Sequence, residues 1–215
     1  MARGAKKTRS RLSSLCQPFT HGHYLFFLAN PKSMGTLSQG EIINPFRYLR
    51  SNLTQTAYAA YFAELVDRLT DDGEKNEYLF DLILTMYRYL EEEKDPDILA
   101  RIFELKMLTI GGYRPQLNQC LGCGNQESRF TFSVKEGGFL CQDCQHLDPK
   151  SLVLSPASIK LLRLFYYLDH QRLGKIDVKE STKQELRTAL WRFMDHHTPL
   201  VLKSRAFLEQ MDGFI

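Results

Sequence analysis

The spacing of apolar residues in the middle of the chain predicts a series of helices. From Ser51 to Arg68, apolar side chains recur at intervals of four residues: Leu53, Ala57, Tyr61 and Leu65. This interval keeps side chains on one face of a helix, so an amphipathic helix is expected here. Ser51 stands directly before the periodic stretch and is its predicted N-cap.

Proline, glycine and small polar residues mark the ends of the other helices. Asp95-Pro96 and Ser155-Pro156 each combine a capping side chain with a proline suited to the first helical turn. Gly111 and Gly174 follow apolar stretches and are the predicted ends of those two helices. The further helices are expected over residues 76–93, 179–197 and 204–211.

Two regions have the pattern of strands instead. Before residue 50, an aromatic-rich stretch at residues 23–29 and a weakly alternating one at residues 35–43 are separated by a turn at Asn30-Pro31. Near the middle of the chain, Phe130 and Phe132 alternate with polar residues, and Gly137-Gly138 supplies a tight reversal. The sequence therefore predicts an α+β protein: a β-rich domain over residues 1–47, then a helical domain over residues 48–215 with a hairpin inserted at 118–147.

Four cysteines flank this hairpin in two pairs with the same internal spacing. Cys120 and Cys123 are separated by two residues, as are Cys141 and Cys144, and seventeen residues lie between the pairs. Two residues between thiolates let the backbone curl so that both sulfurs face one ion, and a second such turn completes a tetrahedron. The pattern predicts a tetrathiolate zinc site, structural because a filled tetrahedron leaves no position for substrate.

Other roles for these cysteines remain open at this point. Two disulfides would require an oxidising compartment, whereas five cysteines with metal-like spacing suit a reducing cytoplasm. Iron–sulfur clusters also use four cysteines but usually with other spacings, and a redox dithiol needs only one pair. His146 follows Cys144 closely and is an alternative ligand. The fifth cysteine, Cys16, is expected to be a lone thiol in or near a core.

Charge is distributed unevenly along the chain. The first 50 residues hold eight Lys or Arg side chains and one acidic residue, a balance of +7, whereas the whole chain has a net charge of +3. Five of these cations lie within residues 2–11, here called the basic segment: Arg3, Lys6, Lys7, Arg9 and Arg11. A disordered, solvated terminus is one interpretation, and a segment that contacts phosphates is the other. Tyr24, Phe26 and Phe27 nearby are core or sheet-face residues, or surfaces for base stacking.

The motifs of the common enzyme classes are not found. The sequence has no phosphate-binding glycine loop, no dinucleotide fingerprint, no His-Glu-x-x-His and no zinc-deaminase pattern. Asp67 and Glu104 are expected to be ordinary surface acids, and His196-His197 a surface pair at a helix end. No apolar run approaches the ~18 residues of a membrane helix. These absences favour a binding protein over an enzyme.

Several sequence blocks, in order along the whole chain, resemble the RecO family of bacterial recombination mediators. They are Ala2-Arg-Gly-Ala-Lys-Lys with Ser10-Arg-Leu and Gln17-Pro-Phe, Thr56-Ala-Tyr-Ala-Ala-Tyr with Ala63-Glu-Leu-Val-Asp, the two cysteine pairs with Phe132-Ser and Gly137-Gly-Phe, and Leu202-Lys-Ser-Arg with Phe207-Leu. The cysteine pattern alone is shared by many families, but the four blocks together are specific.

The resemblance implies an N-terminal OB-fold barrel and a helical domain that bears the zinc element. It implies a cytoplasmic, nucleoid-associated protein that binds single- and double-stranded DNA and anneals complementary strands. The implied partners are RecR and the acidic tail of single-stranded DNA-binding protein. In the implied reaction, RecA replaces that DNA-binding protein on single strands. RecO-like chains usually have further residues before the basic segment, which form the first strands of the barrel. Either this sequence has a late start, or its barrel lacks those strands.

Two further hypotheses concern partners. The groove for the acidic tail should be apolar with a cationic rim, and Arg163, Lys203 and Arg205 are candidates for that rim. An alternative function is a helical protein-interaction adaptor whose contact with DNA is incidental. A DNA-modifying enzyme is a third, less favoured, hypothesis.

Overall fold

The structure is a computed structural model that describes residues 2, 5, 7, 10, 12–30, 34–71, 73, 75–174 and 176–212. Near the N-terminus it contains an antiparallel pair of strands, β1 (His21–Phe27) and β2 (Thr36–Asn44). The register shifts after His21 and again after Leu25, which bends the pair. Among the described residues these two strands form a two-stranded sheet and not a closed barrel.

The rest of the chain is mainly helical. The helices are α1 (Arg47–Ser51), α2 (Leu53–Leu69), α3 (Glu77–Glu91), α4 (Pro96–Ile110), α5 (Pro156–Tyr167), α6 (Glu180–His197) and α7 (Lys203–Asp212). Helix α4 packs against α2, α3, α5 and α6 and is therefore the central helix of this body. None of the helices in the described part of the chain is long and apolar enough to cross a membrane.

The predicted caps of α4 and α5 are confirmed. Asp95 accepts hydrogen bonds from the backbone N–H groups of Asp97 and Ile98, and the hydroxyl of Ser155 accepts one from Ser158. These side chains satisfy N–H groups that have no partner within the helix. The adjacent proline occupies the first turn of each helix, where its missing N–H costs nothing.

Two predicted helix ends are wrong. Ser51 ends the short helix α1, and the N-cap of α2 is Asn52, which adopts an extended backbone and accepts a hydrogen bond from the N–H of Gln55. Helix α5 ends at Tyr167 and not at Gly174, because Leu168 turns to an extended conformation. A short 3-10 helix, His170–Arg172, then fills the space before Gly174.

Burial corrects two further expectations. Leu53 belongs to the predicted apolar stripe, yet its side chain is 66% exposed because it lies in the first turn of α2, outside the core. Cys16 is exposed as well and does not belong to a core. Asp67 is on the surface, as expected.

A buried ionic cluster occupies one face of α4, and here the sequence-based prediction for Glu104 is wrong. Glu104 and Arg101 are both 0% exposed, and their charged groups lie 3.0 Å apart. The same Glu104 oxygen accepts hydrogen bonds from the hydroxyl of Tyr61 at 2.6 Å and the indole of Trp191 at 2.9 Å. Burial raises the pKa of Glu104, and the Arg101 cation opposes that shift. Asp97 pairs with Arg101 at 3.6 Å and with Arg187 at 3.0 Å.

The first turn of α7 is attached to α2 through one carboxylate. Glu64 accepts hydrogen bonds from the backbone N–H groups of Lys203 at 3.0 Å and Ser204 at 2.8 Å, and from the Ser204 hydroxyl. A carboxylate at this position satisfies free N–H groups of the helix and interacts favourably with its dipole. Leu208 completes the attachment by burying its side chain in the core.

Candidate metal centre and its surroundings

The cysteine pairs are brought together by a hairpin between α4 and α5. Strand β3 (Phe130–Ser133) pairs in antiparallel register with β4 (Gly138–Cys141), and β5 (Leu152–Val153) adds to the other side of β3. Gly137 has φ +84°, a left-handed conformation that glycine adopts without strain, so the predicted reversal is confirmed. A 3-10 helix, Gln142–Leu147, follows β4 and contains Cys144.

The four cysteine sulfurs form one compact cluster. All lie within 4.8 Å of one another, and the sulfurs of Cys123 and Cys141 are 3.6 Å apart. Zinc–sulfur bonds of about 2.3 Å in a tetrahedron place sulfurs roughly 3.8 Å apart, so the cluster fits a tetrathiolate metal site. His146 lies outside it: its ring nitrogen is 2.8 Å from the carbonyl of Asp143 and its side chain is exposed.

Backbone N–H groups prepare one of the thiols for metal binding. Although burial raises the pKa of Cys120, hydrogen bonds from backbone N–H groups, including those of Cys141 and Gly122 at 3.3 Å, lower it to about 6. Burial raises the pKa of Cys144 to about 12. Because only thiolates bind the metal, a bound cation must displace the protons of the remaining thiols.

The cysteine hairpin is attached to helix α6 and to the segment that follows strand β4. The ring of His197 lies 2.6 Å from the carbonyl of Val134 and stacks on Phe193, whereas His196 is exposed. The predicted surface pair is therefore wrong for His197. The segment after β4 is attached through Asp148, which accepts a hydrogen bond from the buried hydroxyl of Ser133 at 2.6 Å.

A groove of about 710 Å³ lies between the hairpin and α5, here called the α5 groove. It is lined by Ser128, Arg129, Phe130, Thr131, Gln142, Gln145, Val153, Leu154, Pro156, Ile159, Lys160 and Arg163. Val153 is 80% exposed, and Arg129 and Lys160 are exposed at the edges. Among these described residues there are five apolar side chains, three cations and no acidic side chain, so the groove is partly apolar with a positive rim.

The three cations proposed from the sequence for a partner site lie on two different helices. Arg163 belongs to α5, and its guanidinium donates to backbone carbonyls of residues 117, 118 and 126. Arg205 belongs to α7, where it forms a bidentate pair with Asp195 at 2.6 and 2.8 Å and lies over Trp191. Lys203 is exposed at the start of α7. Arg205 is therefore largely neutralised by its own chain.

Most of the basic segment lies outside the described residues. Arg3, Lys6, Arg9 and Arg11 are among those that the structure does not describe, and Lys7 is exposed. The aromatic residues of β1 are accessible: Phe26 is 52% and Phe27 68% exposed, whereas Tyr24 is half-buried and donates to the carbonyl of Thr20.

Two family models match the chain, and the boundary between them lies between strand β2 and helix α2. The model described as Recombination protein O N terminal matches residues 1–46, and Recombination protein O C terminal matches residues 50–206. The chain thus matches both the N-terminal and the C-terminal family model of a recombination protein. Proteins named DNA repair protein RecO are similar throughout: the one from Bacillus pumilus is 49% identical over 99% of this chain and 82% of its own length. The one from Bacillus subtilis is 46% identical over 99% of this chain and 83% of its own length. The one from Bacillus mycoides is 43% identical over 100% of this chain and 86% of its own length. The chain belongs to the RecO family.

Proposed function

We propose that this protein is a DNA repair accessory protein that binds single- and double-stranded DNA and anneals complementary strands. With RecR, it would promote replacement of single-stranded DNA-binding protein by RecA in RecF-pathway repair, in the cytoplasm at the nucleoid. The observation that supports this function is the match to both RecO family models, which together cover nearly the whole chain. Annealing needs charge neutralisation and accessible bases rather than a catalytic group, so we propose that the protein is not an enzyme.

The two parts of the chain are proposed to form two domains with different roles. We propose that residues 1–47 form a partial OB-fold-like DNA-binding domain that includes β1 and β2, and that residues 48–215 form the helical domain with its zinc hairpin. The antiparallel pairing of the strands and their exposed aromatic residues support the first assignment. The packing of α2, α3, α5 and α6 around α4 supports the second.

We propose that the basic segment contacts the phosphates of DNA through Arg3, Lys6, Lys7, Arg9 and Arg11. Replacing all five by Gln is expected to weaken binding to a single-stranded oligonucleotide. It should also reduce the slope of log affinity against log salt by ~0.7 for each phosphate that the protein no longer neutralises. Fluorescence anisotropy at several salt concentrations measures both quantities.

The matched control removes five exposed cations from the helical body instead: Lys75, Lys135, Lys150, Lys179 and Arg192. This control variant has the same net charge as the first. If the two variants lose affinity equally, the loss comes from total charge and the basic segment is not the DNA site. Strand annealing, followed with two labelled complementary oligonucleotides, tests the function itself. Salt-sensitive annealing is expected, and its absence in folded protein would contradict the proposal.

We propose that the cysteine cluster holds a structural zinc ion through Cys120, Cys123, Cys141 and Cys144. The compact arrangement of the sulfurs and the N–H groups directed at Cys120 support this assignment. Zinc would provide the cross-link that joins the two short turns, in addition to the packing of the buried Phe130, Phe132 and Phe139. Because all four ligands come from the protein, no position remains for a substrate.

We propose that the α5 groove binds the acidic tail of single-stranded DNA-binding protein. Its exposed apolar side chain at Val153 and its rim of cations, with no acidic residue in the lining, are complementary to a segment with both carboxylates and apolar side chains. Of the three candidate cations, Arg163 is the one that lines this groove, although its donors are engaged by carbonyl groups. Arg129 and Lys160 are the cations available to the ligand.

Reversing the two rim charges should weaken binding of the tail. The variant with Arg129→Glu and Lys160→Glu is expected to bind a labelled acidic tail peptide at least about tenfold more weakly, a loss of ~1.4 kcal/mol. The control variant, Lys135→Glu with Lys150→Glu, changes two exposed cations that do not line the groove. Equal affinities of the two variants for the peptide would exclude the α5 groove as the tail site.

A further inference from the structure

One arginine on a helix outside the cysteine hairpin joins the parts of the chain that bear the metal ligands. Arg163 is half-buried on α5, and its Nε–H donates a hydrogen bond to the carbonyl of Leu117 at 2.9 Å. Its Nη2 donates to the carbonyls of Asn118 and Gln126, each at 3.2 Å. A single planar guanidinium thus engages three backbone acceptors.

These acceptors lie on both sides of the first cysteine turn. Leu117 and Asn118 come three and two residues before Cys120, and Gln126 comes three residues after Cys123. The turn itself is closed by backbone hydrogen bonds between Cys120 and residues 124 and 125. The Arg163 guanidinium therefore fixes the separation between the segment that enters the turn and the segment that leaves it.

The face of the same guanidinium contacts the second part of the metal site. It lies 4.9 Å from the ring centroid of Phe130 and 5.6 Å from that of Phe139, and the two rings stack on each other at 5.4 Å. Phe130 is the register partner of Cys141, and the carbonyl of Phe139 accepts a hydrogen bond from the N–H of Leu121. Cation–π contacts of this kind keep the two strands beside the first turn.

We infer that Arg163 is a positioning residue of the metal centre: it brings the two cysteine turns into binding geometry without touching the ion. This inference rests on the proposed zinc site. Groups that orient metal ligands from outside typically contribute 10–100-fold to metal affinity. Lysine does not substitute, because one ammonium on a flexible stem lacks the planar fork that reaches three carbonyls.

The test compares zinc affinities of Arg163→Gln, Arg163→Lys and the wild-type protein by competition with a chromophoric chelator. Both variants are expected to bind zinc about 10–100-fold more weakly. Lys160→Gln is the control, since Lys160 is an exposed cation on the same helix that also lines the α5 groove. Cobalt substitution gives a second measurement: the visible absorption of tetrahedral thiolate-bound Co²⁺ should change in the Arg163 variants and remain unchanged in Lys160→Gln. A role only in general stability would lower the melting temperature but leave the cobalt spectrum and the zinc affinity unchanged.

A measurement on the wild-type chain keeps the inference testable if the variants do not fold. The Arg163 Nε–H resonance is expected to shift, and its exchange with solvent to quicken, when a chelator removes the zinc. An unchanged resonance would overturn the role of Arg163, as would variants with wild-type zinc affinity. Wild-type protein that binds no zinc would overturn the proposed metal site as well, so the two failures are distinguishable.

Discussion

Replacement of Arg101 by Met is expected to lower the free energy of unfolding by about 3–5 kcal/mol at neutral pH, the typical cost of removing one partner of a buried ion pair. Arg101 and Glu104 are both fully buried, and the substitution leaves the Glu104 carboxylate without its cation. For a chain of this length, such a loss corresponds to a melting temperature lower by roughly 6–20 °C. Urea unfolding followed by circular dichroism measures it directly.

The destabilisation should also depend on pH. Burial already raises the pKa of Glu104 in the folded protein, and Arg101 opposes that shift, so its removal raises this pKa further. When the pKa of an acid is higher in the folded than in the unfolded state, the free energy of unfolding falls as pH rises from the unfolded-state pKa to the folded-state pKa. Arg101→Met is therefore expected to be least harmful in mild acid and most harmful at neutral to alkaline pH.

The double variant Arg101→Met with Glu104→Gln provides the control. It removes both charges, while the carbonyl of the introduced amide can still accept from the groups that Glu104 engages, the hydroxyl of Tyr61 and the indole of Trp191. Its stability should recover toward that of the wild type and lose most of the pH dependence. A double variant as unstable as Arg101→Met would mean that packing around the arginine, and not the charge pair, determines the effect.

Replacement of Cys144 by Ser is expected to remove the zinc ion and unfold the hairpin between α4 and α5. Cys144 lies on the 3-10 helix after β4, and its sulfur is within 4.8 Å of the other three. Metal binding to sites of this class contributes about 10–16 kcal/mol of apparent free energy, more than a short hairpin gains from packing. The zinc content measured by elemental analysis should fall from about one ion per chain to nearly none. Hydrogen exchange of the backbone amides should become faster in the hairpin.

Cys16→Ser is the matched control, because Cys16 is exposed and does not belong to the cluster. It should retain both the zinc content and the exchange protection of the wild type. Helices α2 and α3 should keep their protection in Cys144→Ser, since they pack against α4 and against each other. Retention of the metal by Cys144→Ser would show that Cys144 is not an essential ligand.

The features that the sequence predicted well are those that depend on neighbours in the chain. The cap and proline at Asp95-Pro96, the glycine reversal at Gly137 and the cysteine spacing each specify a local backbone geometry. The error at Ser51 arose where two suitable residues compete, because Asn52 caps α2 instead. The error at Gly174 arose because α5 ends earlier and a 3-10 helix separates it from that glycine.

Contacts between distant residues were not predictable in the same way. Nothing adjacent to Glu104 in the sequence indicates Tyr61 or Trp191 as its partners, and nothing adjacent to Arg163 indicates the carbonyl groups before Cys120. One signal for Glu104 was available: most positions of α4 are apolar, including residues beside the charged ones, which is typical of a central helix. Charged residues in such a helix are buried and need partners, so Arg101 and Glu104 could have been paired from their spacing of three.

The bond between Glu64 and the first turn of α7 has a consequence for the order in which the protein matures on the ribosome. The two backbone N–H groups that Glu64 accepts from lie 139 and 140 residues further along the chain. Translation adds roughly 5–20 residues each second, so α2 emerges many seconds before its partner exists. During this interval the face of α2 that α7 covers is accessible to chaperones. Closure of the helical body therefore comes late, after most of the domain has been synthesised.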